Sequence, residues 1–295
     1  MRILILGGSG MLGHRLWVEL SKAHQAWITV RSSAKVIPNL PGVDRSRIRE
    51  DVEATNFDEV IRALAAIQPD VVINCIGLVK QIPLATDPLT ALEINSLLPH
   101  RISLISRAAK IRMIHFSTDC VFSGKKAGPY TEADQSDAED LYGRTKFLGE
   151  VAYGPHTLTL RTSIIGRELR TKHGLVEWIL SQRQAVKGYR RAIFNGLTTC
   201  AVADIILHHV LPNTQLFGVY NLSSYPISKF DLLQYIKEAY RLRTEIEPDD
   251  NVVYNRVLDS SRFQMETGFK PPSWPEMIQA MQSDPTPYDK FKDQP

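Results

Sequence analysis

Residues 2–17 read RILILGGSGMLGHRLW. Five residues of apolar, strand-like sequence run straight into Gly7, Gly10 and Gly13, and an apolar helix-like stretch follows without a break. A strand, a G-x-x-G-x-x-G turn and a helix in that order are the opening of a dinucleotide-binding βαβ unit. The glycines permit a tight turn and a close backbone approach, so that a pyrophosphate can rest on the N–H groups at the helix N-terminus. Gly7, Ser9, Gly10, Met11, Leu12 and Gly13 are the candidate contacts.

Beyond this stretch, short apolar runs alternate with segments of helical periodicity, the pattern that builds a parallel sheet. The expected strands are residues 2–6, 26–30, 71–75, 112–117 and 157–161, with helices over 11–23, 57–67, 88–109 and 138–152. The fold class is therefore α/β, a Rossmann-type doubly wound parallel sheet with a smaller C-terminal α/β substrate lobe. The reading places the dinucleotide domain at residues 1–165 and the lobe, partly interleaved with the sheet, at 166–282. Helices over 175–185, 202–211, 228–240 and 274–281 belong to the lobe, and the polar, proline-rich 283–295 reads as a flexible tail.

The second strand ends in Arg31, Ser32 and Ser33, where a site for NAD would place an acidic residue against the ribose 2′-hydroxyl. A guanidinium flanked by hydroxyls suits a 2′-phosphate, which points to NADPH and leaves NADH as the second candidate. Asp51 and Val52 are placed near the adenine. Asn74, Cys75, Ile76 and Gly77 end the next strand, where the cofactor ribose should pass.

Three Tyr-x-x-x-Lys pairs occur, at Tyr142/Lys146, Tyr225/Lys229 and Tyr288/Lys292. A phenol with a pKa near 10 needs help to act as an acid at neutral pH, and a lysine one helical turn away can stabilise its phenolate and reach the nicotinamide ribose. Pro226 pushes Tyr225 out of any helix and Ser228 caps a helix that starts later. Tyr288 lies in the tail. Tyr142 and Lys146 alone sit in a helical segment, and the strand before them ends in Ser117, Thr118 and Asp119, at the sheet edge where open α/β folds bind ligands.

The rest of the composition narrows the class. A net charge of +3 spread along 295 residues offers no basic stripe for nucleic acid. No apolar run approaches the roughly 18 residues of a membrane span, so no membrane partner is expected. Cys75, Cys120 and Cys200 are odd in number and widely spaced, which suits a reducing cytoplasm and offers no metal or disulfide framework.

The motifs GGSGMLG, STDCVFSG, YGRTKFLGE, LRTSIIG, VYNLSS and VLDSSRFQMETGFKPPSWPEMI, in this order, resemble the extended short-chain dehydrogenase/reductase family. The wording is similar to its dTDP-4-dehydrorhamnose reductase branch along nearly the whole chain. The resemblance implies Thr118, Tyr142 and Lys146 as the catalytic set, with Asn95 supporting the active-site backbone and proton relay. It implies NADPH-dependent reduction of the C4 ketone of a nucleotide-linked 4-keto-6-deoxyhexose (dTDP-, UDP- or GDP-linked), for polysaccharide biosynthesis. Lys80, Asp119, Val121, Phe122, Arg161, Thr162 and the 196–199 loop are the expected substrate contacts, and Lys146 is expected to lower the pKa of Tyr142. Cys120 replaces a common aromatic, and NCIGLVKQ replaces an Ala-rich stretch, which leaves the hexose open. Arg15 stands where some relatives hold a metal through glutamate, so no metal is expected, and a monomer or homodimer remains open. An epimerase that retains NAD, and a non-catalytic regulatory subunit resembling that of methionine adenosyltransferase, are the other readings.

Overall fold

The computed structural model describes residues 1–80 and 83–291. Its first half runs β1 (Arg2–Leu6), α1 (Met11–Leu20), β2 (Gln25–Thr29), β3 (Ile48–Arg49), α2 (Phe57–Ile67), β4 (Val71–Asn74), α3 (Pro88–Leu92), α4 (Leu98–Ala108), β5 (Arg112–Thr118), α5 (Leu141–Leu148) and β6 (Thr157–Thr162). The second half adds β7 (Ile164–Ile165), α6 (Leu175–Ser181), β8 (Val186–Tyr189), β9 (Ala192–Phe194), β10 (Leu197–Thr198), α7 (Thr199–Ile205) and β11 (Gly218–Asn221). It continues with β12 (Ile227–Ser228), α8 (Lys229–Ala239), β13 (Ile246–Asp249), β14 (Tyr254–Asn255), α9 (Ser261–Thr267) and α10 (Trp274–Gln282).

Seven parallel strands form the main sheet in the order β11-β6-β5-β4-β1-β2-β3, a Rossmann-like α/β fold. The order reverses between β1 and β4, and the crevice at the carboxyl ends of strands flanking such a switch is where these folds bind ligands. Alternation along β1 feeds two cores. Ile3 and Ile5 face α1 and join Leu16, Trp17, Val202, Ile206, Leu232, Ile236 and Phe263. Leu4 and Leu6 face the other layer with Val60, Leu64, Val72, Leu98 and Met113.

The first of these cores crosses the expected boundary at 165/166, and β11, unforeseen, adds an edge strand beside β6. The two halves thus share one core. The expected tail also differs within its described part. Tyr288 is 4% exposed, donates to or accepts from His14 Nε2 at 3.0 Å, and follows Asp284, which pairs with Arg15 at 3.0 Å. Burying the phenol ring against α1 outweighs the tail's polar composition. Lys292, residues 293–295 and Gln81 of the NCIGLVKQ stretch lie outside the described residues.

The helix expected over 88–109 is interrupted by a π-helical turn at Glu93–Leu97. Pro99 explains the break, because it has no N–H to return to the Asn95 carbonyl and its ring crowds that oxygen. The helix expected over 138–152 is shorter. It starts at Leu141 behind Asp140, whose carboxylate accepts the Gly143 N–H at 2.8 Å, and stops at Gly149, where a Cβ would run into the Asn95 carbonyl oxygen.

Candidate active site

At the carboxyl end of β1, Gly7 takes φ +83°, a conformation open to glycine, and a Cβ there would press on Ile76 at 3.0 Å. Gly13 has no room either, since a Cβ would strike the Gly7 carbonyl oxygen. These approaches fold the turn tightly onto α1, whose first residues follow Gly10 with no side chain capping their N–H groups. An uncapped helix start behind a glycine turn fits a pyrophosphate. Gly8, absent from the expected contacts, packs its bare Cα on Ile28.

Arg31 leaves the end of β2 with its side chain 75% exposed and only a loose 3.9 Å contact to Glu53. It is free to meet a phosphate. Ser33 is otherwise engaged, donating to Glu50 at 3.1 Å and capping the turn at Ala34–Val36. Val52 is buried, while Asp51 is exposed at φ 55°. Asn74 is taken up by the Ile76 N–H at 3.1 Å and by His115 at 3.2 Å.

β4 and β5 deliver the reacting end. Asn95 accepts the Leu78 N–H at 2.9 Å and donates to the Leu78 carbonyl at 3.1 Å, so it fixes the chain leaving β4. Its amide also donates to Thr145 Oγ1 at 3.3 Å, tying that chain to α5. A Cβ on Gly77 would lie 3.5 Å from Asn95 Oδ1 and 3.9 Å from Lys146 Nζ, so backbone, amide and ammonium meet at one spot. Lys146 is buried and donates to the Phe116 carbonyl at 2.7 Å. Desolvation pushes its pKa down to about 8.

Tyr142 lies beside Thr118, Cys120 and Asp119. Burial pushes its phenol up, the nearby Cys120 and the Asp119 carboxylate add to this, and the Thr118 hydroxyl opposes it. Lys146, expected to lower this pKa, is not among the groups that act most strongly on the phenol, and its ammonium donates to the Phe116 carbonyl. Thr118 donates to Asp119 at 3.1 Å and accepts the Cys120 N–H at 3.1 Å. Gly143 lets α5 lie against the Cys120 carbonyl oxygen, which a Cβ would strike. The close approach that this glycine permits is thus to protein backbone.

Several expected substrate contacts are placed elsewhere. Val121 and Phe122 are fully buried with Tyr130 and Leu258, the Phe122 ring stacked on Tyr130 at 4.1 Å, so neither reaches the cleft. Their apolar side chains gain more from that cluster than from the polar edge of the sheet. Arg161 is held by Glu150 at 2.7 Å with both side chains 5% exposed, and Glu150 also accepts from Ser117 at 2.7 Å. The pair uses Nε and Nη2 of the guanidinium, while its Nη1 is buried without a partner among the described residues. Thr162 is buried beside Ser163. Thr198 caps α7, and Thr199 packs on Gly166. Lys80 pairs with Asp140 and lies 5.6 Å from the Tyr142 ring centre, which keeps it at the cleft.

A family model described as the RmlD substrate binding domain matches residues 1–286. The chain belongs to this family. Membership in the RmlD family, an extended short-chain dehydrogenase/reductase group, agrees with the fold. Among curated relatives, a dTDP-4-dehydrorhamnose reductase of Aggregatibacter actinomycetemcomitans is 24% identical over 305 residues, covering 92% of this chain and 95% of its own. A probable low-salt glycan biosynthesis reductase, Agl14 of Haloferax volcanii, is 28% identical over 187 residues, covering 61% of this chain and 60% of its own. The match to a Burkholderia thailandensis dTDP-4-dehydrorhamnose reductase likewise covers only 50% of that protein. Of solved structures, a dTDP-4-dehydrorhamnose reductase of Bacillus anthracis in complex with NADP superposes with a TM-score of 0.78 at 19% identity, covering 95% of this chain and 96% of that one. At that identity the likeness is one of fold.

Lys229 and Arg256, outside the expected site residues, also lie against Asp119 and Cys120. Lys229 was set aside with Tyr225 as a failed pair, yet its ammonium comes within electrostatic reach of Asp119 and Cys120. Arg256 donates to Cys120 Sγ at 3.4 Å. A lysine directly behind the capping Ser228 is a signal in itself, since the positive end of a helix repels it.

Proposed function

We propose that this chain is an oxidoreductase that reduces the C4 ketone of a nucleotide-linked 4-keto-6-deoxyhexose with NADPH, in the cytoplasm. The observation that carries the reading is the meeting of Tyr142 and Thr118 at the carboxyl edge of β5 with Lys146 and Gly77 one step toward the glycine turn. Gly7, Gly10 and Gly13 and the uncapped start of α1 would hold the pyrophosphate, and Arg31 with Ser32 the 2′-phosphate. NADPH bound there supplies the hydride for the carbonyl carbon. NADH is the second candidate.

Tyr142 gives its proton to the carbonyl oxygen as that carbon gains hydride, which leaves an alcohol and a phenolate for solvent to reprotonate. A phenol held above its ordinary pKa stays protonated in the resting protein, the state that a proton donor needs. Thr118 orients the carbonyl oxygen, and Asn95 holds the Leu78 backbone beside Lys146. The names of the reductase relatives support a nucleotide-linked keto sugar as substrate. NADPH oxidation followed optically with dTDP-, UDP- and GDP-linked 4-keto-6-deoxyhexoses tests the reading, and absence of turnover on all three rejects it.

A further inference from the structure

Ser228 and Asn255 flank Ile193 from its two sides, one across the antiparallel β12–β9 pair and the other across the parallel β14–β9 pair. The residues that follow them, Lys229 and Arg256, leave this small sheet toward the loop after β5. Gly124, at φ +85°, lets the chain come that close, since a Cβ would meet Tyr254 Cβ at 2.8 Å and Arg256 Cγ at 3.0 Å. The Asn255 N–H then donates to the Gly124 carbonyl at 2.7 Å. Two cations are thereby set against Asp119 and Cys120, next to Thr118 and Tyr142.

Neither cation has an ion-pair partner among the described residues. The Lys229 ammonium has one close contact, the face of the Phe194 ring with its centre 3.5 Å away. Desolvation pushes its pKa down to about 8. It also occupies the first turn of α8, where the helix dipole opposes a positive charge. Arg256 lies over Tyr254 at 4.9 Å and reaches Cys120 Sγ, while its Nε is buried without a partner. The Lys229 arrangement lowers stability, whereas at Arg256 desolvation is outweighed by Cys120, Asp119 and Tyr254, which favour its charge; two half-buried cations without an ion-pair partner beside a reaction site are the pattern of a binding function. Asp119 offsets one positive charge at most, and its carboxylate is engaged by Thr118.

We propose that Lys229 and Arg256 form an anion-binding site at the sugar end of the cleft, which receives an oxyanion of the substrate: its diphosphate, or a carboxylate carried by the sugar. The proposal rests on the nucleotide-sugar reading and adds to it the residues that discriminate among such sugars. A half-exposed ammonium beside an aromatic face and a half-exposed guanidinium together offer the donors that a phosphate or carboxylate takes.

Calorimetric titration of the NADPH-loaded protein with dTDP, UDP, UDP-glucose and UDP-glucuronate tests it, in wild type and in Lys229→Met and Arg256→Met. Each substitution is expected to weaken binding about tenfold or more, as loss of a charged hydrogen bond does. A loss shared by all four ligands assigns the diphosphate, and a loss confined to UDP-glucuronate assigns the carboxylate. Lys229→Met is also expected to melt no lower than wild type, because it removes an unpaired charge, and wild-type affinity should fall as salt rises. Unchanged affinity in both variants, no binding of any of the four ligands to wild type, or a lowered melting temperature with unchanged affinity overturns the proposal. NADPH turnover is measured separately, so binding without turnover rejects the reductase reading and leaves the anion site standing.

Discussion

Asn95 grips the backbone of Leu78 from both sides, accepting its N–H at 2.9 Å and donating to its carbonyl at 3.1 Å. Asn95 makes this grip from within the π-turn at Glu93–Leu97, where it is buried. Replacing Asn95 with Ala leaves two buried backbone groups unpaired. Stability should fall by about 2 kcal/mol, and kcat should fall with it as the floor of the site loosens. Urea unfolding and steady-state kinetics of Asn95→Ala measure both, and an unchanged unfolding midpoint contradicts the role.

Gly13 and Gly128 make a matched pair for the glycine turn. Ala at 13 meets the Gly7 carbonyl oxygen, whereas Ala at 128 meets nothing within 4 Å. Gly13→Ala is expected to weaken NADPH binding at least tenfold by displacing the turn, and Gly128→Ala to bind as wild type. Fluorescence titration with NADPH reads the difference.

His14 links α1 to the chain's last described turn, with Nδ1 2.8 Å from the Gly10 carbonyl and Nε2 3.0 Å from Tyr288. Burial pushes its pKa down from 6.5 to about 4. The unfolded chain therefore takes up a proton below about pH 6.5 that the folded one refuses until about pH 4, so stability falls as pH falls through that window, by about 3 kcal/mol in all. His14→Gln should lose that part of the slope. Tyr288→Phe should keep the slope and cost about 1 kcal/mol at neutral pH.

Lys146 titrates near pH 8 in the fold against 10.5 for an ordinary lysine. Its ammonium, the form that can reach the cofactor ribose, is lost above about 8, so kcat/KM should decline there. Stability should move the other way. Between about pH 8 and 10 the unfolded chain keeps a proton that the folded one has released, which raises the unfolding free energy with pH, and Lys229 adds in the same direction. Lys146→Met should remove the alkaline limb of whatever activity remains.

The fold was legible where a signal is local. The bounds of α2 match the expected 57–67, which helical periodicity marks although Asn56 makes no side-chain cap, and β1 with its glycines fixes the cofactor end. What was misread depends on partners distant in sequence. Tyr288 is buried by His14, β11 by pairing with β6, and Val121 and Phe122 by Tyr130 and Leu258. The π-turn escaped because periodicity does not register one added residue, although Pro99 announced it. Tyr142 and Lys146 were separable from the two other pairs by helix context, while the direction of the Lys146 ammonium was not, since a carbonyl of β5 takes it.

In the proposed reaction Tyr142 supplies the proton as a nucleotide-linked 4-keto sugar is reduced. The most direct test is NADPH consumption on dTDP-4-keto-6-deoxyhexose by wild type and Tyr142→Phe, each shown folded by its melting curve. Turnover is expected in wild type and a loss of at least a hundredfold in kcat for the variant, with NADPH affinity preserved. Equal turnover in the two proteins contradicts it.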